Sequence, residues 1–365
     1  MKKQYKITVI MIAAIVLGIT SYSSLQNDFE DSIKKYETSL EITKAKYFKI
    51  YNDEQKIILV DGANRKIPLS YETDENSLQV PANRIIVFSS THAAFMDRLG
   101  IADKIVGVTG GNSNDWYIDS VTSDLDSGRI KDVGLSTNPN YDQIVALDPD
   151  VVILTGGIGM WENHGKKLDE LGIPFVVVSE WMEDDPLGKF EWIKVFSIIT
   201  GTEDSAVDLF DIVSEKTKTI FEKVSESEKP QVLWAGVFKG TAYVPRDNSY
   251  VGEIIRLANA DYIFKDFSGS GSAQISIEEL LLRSNDADIL VYSSDFVDTT
   301  SDITSIHPLL SELRPIQNCN VYSFQPWYWQ SVDKYDDFAN DVAAIMHPEL
   351  FSDYQLKQFK KVSCV

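Results

Sequence analysis

The sequence predicts an α/β protein of two Rossmann-like βα lobes joined by one long, rigid α-helix. Three observations carry this. Uninterrupted apolar runs of strand length, such as VVILTGG (151–157) and IPFVVVS (173–179), are separated by short helical patterns, as in parallel strands covered on both faces. Near the middle of the chain, Ala206, Leu209, Phe210, Val213, Thr217, Ile220, Phe221 and Val224 recur at 3–4 spacing, giving one buried stripe on a helix of about 25 residues, or roughly 38 Å. A second series of alternating units follows Pro230, which stops that helix.

The elements follow in order. Residues 1–25 read as a signal peptide or N-terminal anchor: Lys2, Lys3 and Lys6 precede the 13-residue apolar run ITVIMIAAIVLGI. No cysteine stands near the end of that run, which excludes lipidation there, and the chain is expected to be exported. Residues 26–46 are polar and read as a tether, and 47–80 as an extension opening with a β-hairpin around Asn52-Asp53. The first lobe spans 81–201. Its strand RIIVFSS precedes a short helix with Thr91 as cap and Gly100 as stop; then come strand KIVGVTG, helix YDQIVALDPD and the two apolar strands. PLGKFEWIKVFSIITG (186–201) has Pro at its first helical position and Gly at its end, so one helix is expected. The interlobe helix occupies 202–229. The second lobe, 230–365, holds strands QVLWAGVF, TAYVP, DILVYSS and NVYSFQP, helices at 248–260 and 276–285, a flexible loop GSGSAQ (269–274), and a terminal helix from about Tyr335 to Met346.

Composition narrows the function. The 365 residues are 44% hydrophobic, enough for a packed core and about two domains. Acidic residues outnumber basic ones 55 to 34, for a net charge of −21, which disfavours nucleic acid as a partner. Two cysteines, Cys319 and Cys364, rule out a disulfide scaffold and a CxxC metal site. The place of Cys364 next to the last residue argues against a bond between them. Enzyme chemistry finds no support: there is no GxSxG elbow and no HExxH, and His92, His164, His307 and His347 are scattered. The run GGIGMW is not a dinucleotide fingerprint, since residue 162 is Glu. An exported α/β hydrolase is the alternative from another class.

From Pro81 to Pro348 the chain resembles the substrate-binding proteins of ABC importers for iron–siderophores, haem and cobalamin. The resemblance rests on four segments in order: PANRIIVFSSTHAAFMDRLGIADKIVGVT; NPNYDQIVALDPDVVILTGG; the long helix; and NADYIFKDFSGSGSAQISIEELLLRSNDADILVYSS. It implies a monomer that captures a metal chelate, most simply an iron–siderophore-type complex, between its lobes. Corrinoid and haem are the alternative cargoes. It also implies delivery to an importer permease driven by a cytoplasmic ATPase, in the periplasm or outside the cell, with no catalytic residue, cofactor or resident metal. Each lobe would offer one carboxylate to the permease: Asp142, where the family usually has Glu, and Glu278 in SIEELL. On their own these are solvated residues of a first helical turn.

Ligands of parallel α/β sheets sit beyond the carboxyl ends of strands, and the positions found there are the candidate binding residues. Ser89, Ser90, Thr91 and His92 follow the first strand and offer hydroxyls and helix-start amides; capping and core packing are their plainer roles. Trp116 and Tyr117 follow the second strand, and Gly157 and Trp161 the third. In the second lobe, Phe238, Tyr243 and Arg246 lie on and after a strand pair, Arg246 within reach of either a ligand oxygen or Asp247. Trp327 and Trp329 belong to QPWYWQ, three consecutive aromatics of which at least one must face outward.

Overall fold

The computed structural model describes residues 40–365 apart from 54, 55 and 158. The signal or anchor at 1–25 and most of the tether lie outside the described residues. The hairpin forms: β1 (Lys49–Asp53) pairs antiparallel with β2 (Lys56–Val60), Lys49 opposite Val60. It does not stop at two strands. β3 (Lys66–Ser70) and β4 (Leu78–Gln79) extend it to a four-stranded sheet. The β2–β3 turn fastens this sheet to the first lobe. Buried Asp61 accepts the backbone N–H groups of Ala63, Arg65 and Val177, and Gly62 N–H donates to the Val177 carbonyl at 2.8 Å. The contact is close. A Cβ at Gly62 would stand 2.3 Å from Ser179 Oγ and 2.9 Å from Ser179 N, and one at Gly156 would stand 1.8 Å from the same hydroxyl.

The first lobe is built on five parallel strands in the order β11-β10-β5-β6-β7. β5 (Ile85–Val87) leads into α1 (Ser90–Arg98), and β6 (Ile105–Val108) into α2 (Asp119–Asp126) and β7 (Lys131–Asp132). After the small β8–β9 ladder (Gly134–Leu135, Asn138–Pro139) come α3 (Tyr141–Ala146), β10 (Val151–Thr155), α4 (Glu162–Leu171) and β11 (Phe175–Val178). β10 and β11 are buried at nearly every position, as continuous apolar runs require. The α1 cap is Ser89, whose side chain accepts from Thr91 N–H; Thr91 is the helix's second residue, two positions past the cap, and not the cap itself. The 186–201 segment divides in two, α5 (Pro186–Glu191) and α6 (Ile193–Thr200), broken at buried Trp192, whose indole N–H reaches back to Glu183 Oε1 at 3.0 Å. Gly201 ends the second with φ of +72°.

α7 (Glu203–Val224) is the long helix, 22 residues and about 33 Å. It buries Ala206, Phe210, Val213, Thr217 and Val224 against α6 on one side and α12 on the other, so it packs on both lobes. The second lobe carries a mixed sheet. β12 (Gln231–Phe238), β16 (Ile289–Tyr292) and β17 (Val321–Phe324) are parallel, and β14 (Asp261–Tyr262) pairs with the start of β12. β13 (Thr241–Pro245) turns back antiparallel on β12 through Lys239-Gly240, both at positive φ as a tight hairpin turn requires. Against it runs β15 (Ser272–Ile275), so half of the expected flexible loop 269–274 is an edge strand. Helices α8 (Tyr250–Leu257), α9 (Ile277–Arg283), α10 (Thr300–Ile306), α11 (Arg314–Gln317) and α12 (Tyr335–Met346) cover it.

Both ends of the described chain are pinned. The part of the tether that is described does not hang free: Glu191 accepts from Thr43, Lys44 and Ala45 N–H at 2.7–2.9 Å, with Lys194 Nζ 2.8 Å from its carboxylate. At the other end, Asp341 accepts the N–H groups of Lys357, Gln358 and Phe359, and β18 (Phe359–Lys361) pairs antiparallel with β17. That strand carries Cys364 back beside β17, and Cys319 and Cys364 form a disulfide with Cα atoms 5.5 Å apart. The expectation of an unordered, unpaired Cys364 fails because edge-strand pairing orders the last residues.

Candidate functional site

Beyond the carboxyl ends of β5, β11, β12, β16 and β17 the two lobes enclose a cleft of about 990 Å³. The first lobe lines it with Thr91 and with the segment from Glu180 to Lys189, the turn and helix start that follow β11. The second lobe supplies the larger wall: Trp234, Val237, Phe238, Tyr243, Tyr250, Tyr292, Phe324, Tyr328 and Trp329, interspersed with Ser249, Ser272, Ser293 and Ser294. Aromatic faces and hydroxyls therefore dominate. Among the described residues no group of three or more His, Cys, Asp or Glu side chains is placed to hold a metal ion.

The polar floor is built by the first lobe. Ser89 Oγ lies 2.8 Å from Thr91 Oγ1, which donates to Glu180 Oε1 at 2.8 Å, while the other Glu180 oxygen is 3.8 Å from His92 Nε2. His92 is fully buried and outside the cleft, packed against Phe196. Burial pushes the Glu180 carboxyl up, but His92, Lys189 and Thr91 together outweigh it and hold it below its ordinary range. Burial raises Glu183 to about 7, although Tyr47 and Lys46 N–H and the Trp192 indole donate to it.

Of the sequence-derived candidates, Thr91, Phe238, Tyr243 and Trp329 line the cleft, Phe238 and Trp329 more than half exposed. The others do not. Ser89 is a helix cap and Ser90 begins the helix. Trp116 is buried with its indole on the Gly110 carbonyl; Gly157 sits under Trp181 and Met160; Trp161 packs on Phe175. Arg246 donates to the Ser268 carbonyl at 3.0 Å. Trp327 donates to the Lys357 carbonyl and meets Tyr117 across the lobes, ring centroids 6.3 Å apart. Beside that contact Gln330 bridges the lobes with its amide: Oε1 accepts from Tyr117 N–H at 2.9 Å and Nε2 donates to the Asp115 carbonyl at 2.7 Å. In QPWYWQ the middle residue is half-buried: Tyr328 stacks on Phe324 at 3.8 Å, and Trp329 meets the same ring edge-on at 5.4 Å.

The segment missed by sequence reasoning is Glu180–Lys189. It follows the end of β11 just as the other candidates follow β5, β6 and β10, and that shared position is the signal that marks it. Asp142 and Glu278 are both exposed in the first turns of their helices, capped by Asn140 and Ser276. The Glu278 carboxyl is held below its ordinary value by its helix-start N–H and by Ser276.

The chain is similar to known proteins over most of its length. A model of the family described as periplasmic binding protein matches residues 85–327. An uncharacterised lipoprotein of Methanocaldococcus jannaschii is 31% identical over 344 residues, 93% of this chain and 81% of the relative. An Fe(3+)-citrate-binding protein of Bacillus subtilis is 24% identical and matches 71% of this chain and 78% of its own. A periplasmic solute-binding protein from Veillonella parvula shares the fold with a TM-score of 0.62 at 21% identity, over 82% of this chain and 88% of that one. Two βα lobes, a long helix between them and a cleft at their strand ends agree with these matches, and the chain belongs to the periplasmic binding protein family, the substrate-binding proteins of ABC importers.

Proposed function

We propose that the protein works outside the cytoplasm, capturing an organic metal chelate of the iron–siderophore type and delivering it to an importer permease. One observation carries this: the cleft between the lobes is large enough for a chelate and is walled by aromatic rings and hydroxyls, without, among the described residues, a cluster that would grip a bare ion. The Fe(3+)-citrate-binding relative supports a chelate, as against a bare ion, as the cargo. In this reading the jaws are 81–201 and 230–365, held at a set distance by the α7 region. The N-terminal segment keeps the protein at the membrane if it is not cleaved.

Asp142 and Glu278, exposed on helix starts of the two jaws, are the proposed anchors for cations of the permease. Native mass spectrometry after expression in a rich extract tests capture; a retained chelate is the expected result, and an empty protein with hydrolytic turnover is the contrary one. In vesicles carrying the permease, Asp142→Ala and Glu278→Ala should leave chelate affinity unchanged and lower transport. The loss should be greatest in the double variant and at low salt. Weakened binding with normal transport per bound chelate would reject the assignment of faces.

A further inference from the structure

The charge of the cleft selects among chelates. Resting on the chelate reading of the site, we infer that this cleft accepts uncharged or cationic chelates and turns away anionic ones. Among the described residues that line it, three carry carboxyls, Glu180, Glu183 and Asp184, and one is a cation, Lys189; no arginine or histidine faces the space. Lys189 is already engaged. Its Nζ lies 4.4 Å from the centroid of the Tyr250 ring and its charge acts on Glu180. Other cations near the cleft are likewise turned to partners: Lys46 pairs with Asp184 at 2.7 Å, Arg246 donates to the Ser268 carbonyl, and Lys239 stands 5.1 Å from the Phe238 ring.

A carboxylate or catecholate chelate entering this space would give up its hydration without a guanidinium fork to replace it, and would approach the Glu180 carboxylate, which is held ionised. The chain's net charge of −21 adds a field that slows the approach of anions. A neutral hydroxamate or corrin loses little hydration and gains the aromatic wall. A cation gains ring faces as well, together with the carboxyls of the floor.

The test uses tryptophan fluorescence, since Trp181, Trp234 and Trp329 line the cleft, and two probe series in which charge is the main variable. The first is ferrioxamine B with its terminal amine free (cationic), acetylated (neutral) or succinylated (anionic). The second sets cobinamide against cobyrinic acid, the same macrocycle bearing free carboxylates. The neutral or cationic member of the series that binds should bind at least tenfold tighter than its anionic partner, and the gap should narrow as salt rises. Ser272→Arg, which places a guanidinium on an exposed position of the wall, should strengthen the anionic member at least fivefold. An anionic member that binds as well as its partners, or a net-anionic chelate retained from the extract, overturns the inference while leaving the chelate reading intact. Binding of no probe, with no chelate retained from the extract, overturns both.

Discussion

The two lobes meet one cleft with different surfaces. The first, all parallel, presents strand ends as turns and helix starts, so its contribution holds the cleft's carboxyls: Thr91, Glu180, Glu183 and Asp184, beside Trp181 and Met182. The second adds antiparallel strands, and the β12–β13 hairpin carries strand residues such as Val237, Phe238 and Tyr243 into the wall. A parallel sheet offers the cleft its ends; a mixed sheet can also offer a face. The lobes also hold their chain ends differently. A carboxylate collects backbone N–H groups at each, Glu191 in one and Asp341 in the other, but Glu191 is neutralised by Lys194 while the second end adds a disulfide.

The largest effects should come from opening the two ends, beginning with the first clasp. Glu191→Ala leaves buried Lys194 with the Glu41 carbonyl but no carboxylate, frees three part-buried backbone donors, and should cost about 3 kcal/mol in denaturant unfolding. Protease should then cut near residues 40–47 first, with or without reductant. An unchanged midpoint would refute the clasp. Next comes the second end. Replacing Cys319 and Cys364 by Ser opens a crosslink spanning 45 residues and should cost about 2–4 kcal/mol, a loss that reductant should reproduce in the unaltered protein.

The third effect, spread over pH, tests the seam between the lobes. Asp333 of the second lobe is buried, and that burial raises its carboxyl to about 7 against Lys334 and Arg98, with Asp97 adding to the rise. Because the folded state holds this proton to higher pH than the unfolded chain does, stability from Asp333 should fall as pH climbs from about 4 to 7. The loss is at most about 4 kcal/mol. Asp333→Asn should flatten that slope; a slope that persists would assign it to Glu183, the other carboxyl raised to about 7. Smallest is Trp329→Ala, which should weaken chelate binding about tenfold, near 1.4 kcal/mol, with stability unchanged. Equal weakening by Thr91→Ala would erase the difference between the walls.

Much of the fold was legible because its signals are local. VVILT is apolar without interruption and becomes a strand buried on both faces; Pro186 and Gly201 bracket a helical stretch as they should. What was illegible depends on distant partners. Ser272–Ile275 has the composition of a loop, yet its alternation of buried Ala273 and Ile275 with exposed Ser272 and Gln274 is that of an edge strand, realised only once β13 lies beside it. Cys364 was discounted for its place in the chain, and β18 overrides that. In the site, sequence located strand ends but not side-chain directions, so Trp116 and Trp161 were grouped with Phe238 and Trp329 although the first two turn into the lobe.

The meeting of Gly62, Gly156 and Ser179 has a consequence for how this sequence can diverge. Positions from three separate segments share one small volume, so their substitutions are coupled. A side chain at 156 collides first with the Ser179 hydroxyl, and a smaller residue at 179 removes that collision. Position 62 has no such escape, because the backbone nitrogen of residue 179 itself stands 2.9 Å from where its Cβ would be. In a library randomised at all three sites, 156 should drift only alongside 179, while 62 should return glycine whatever its neighbours become.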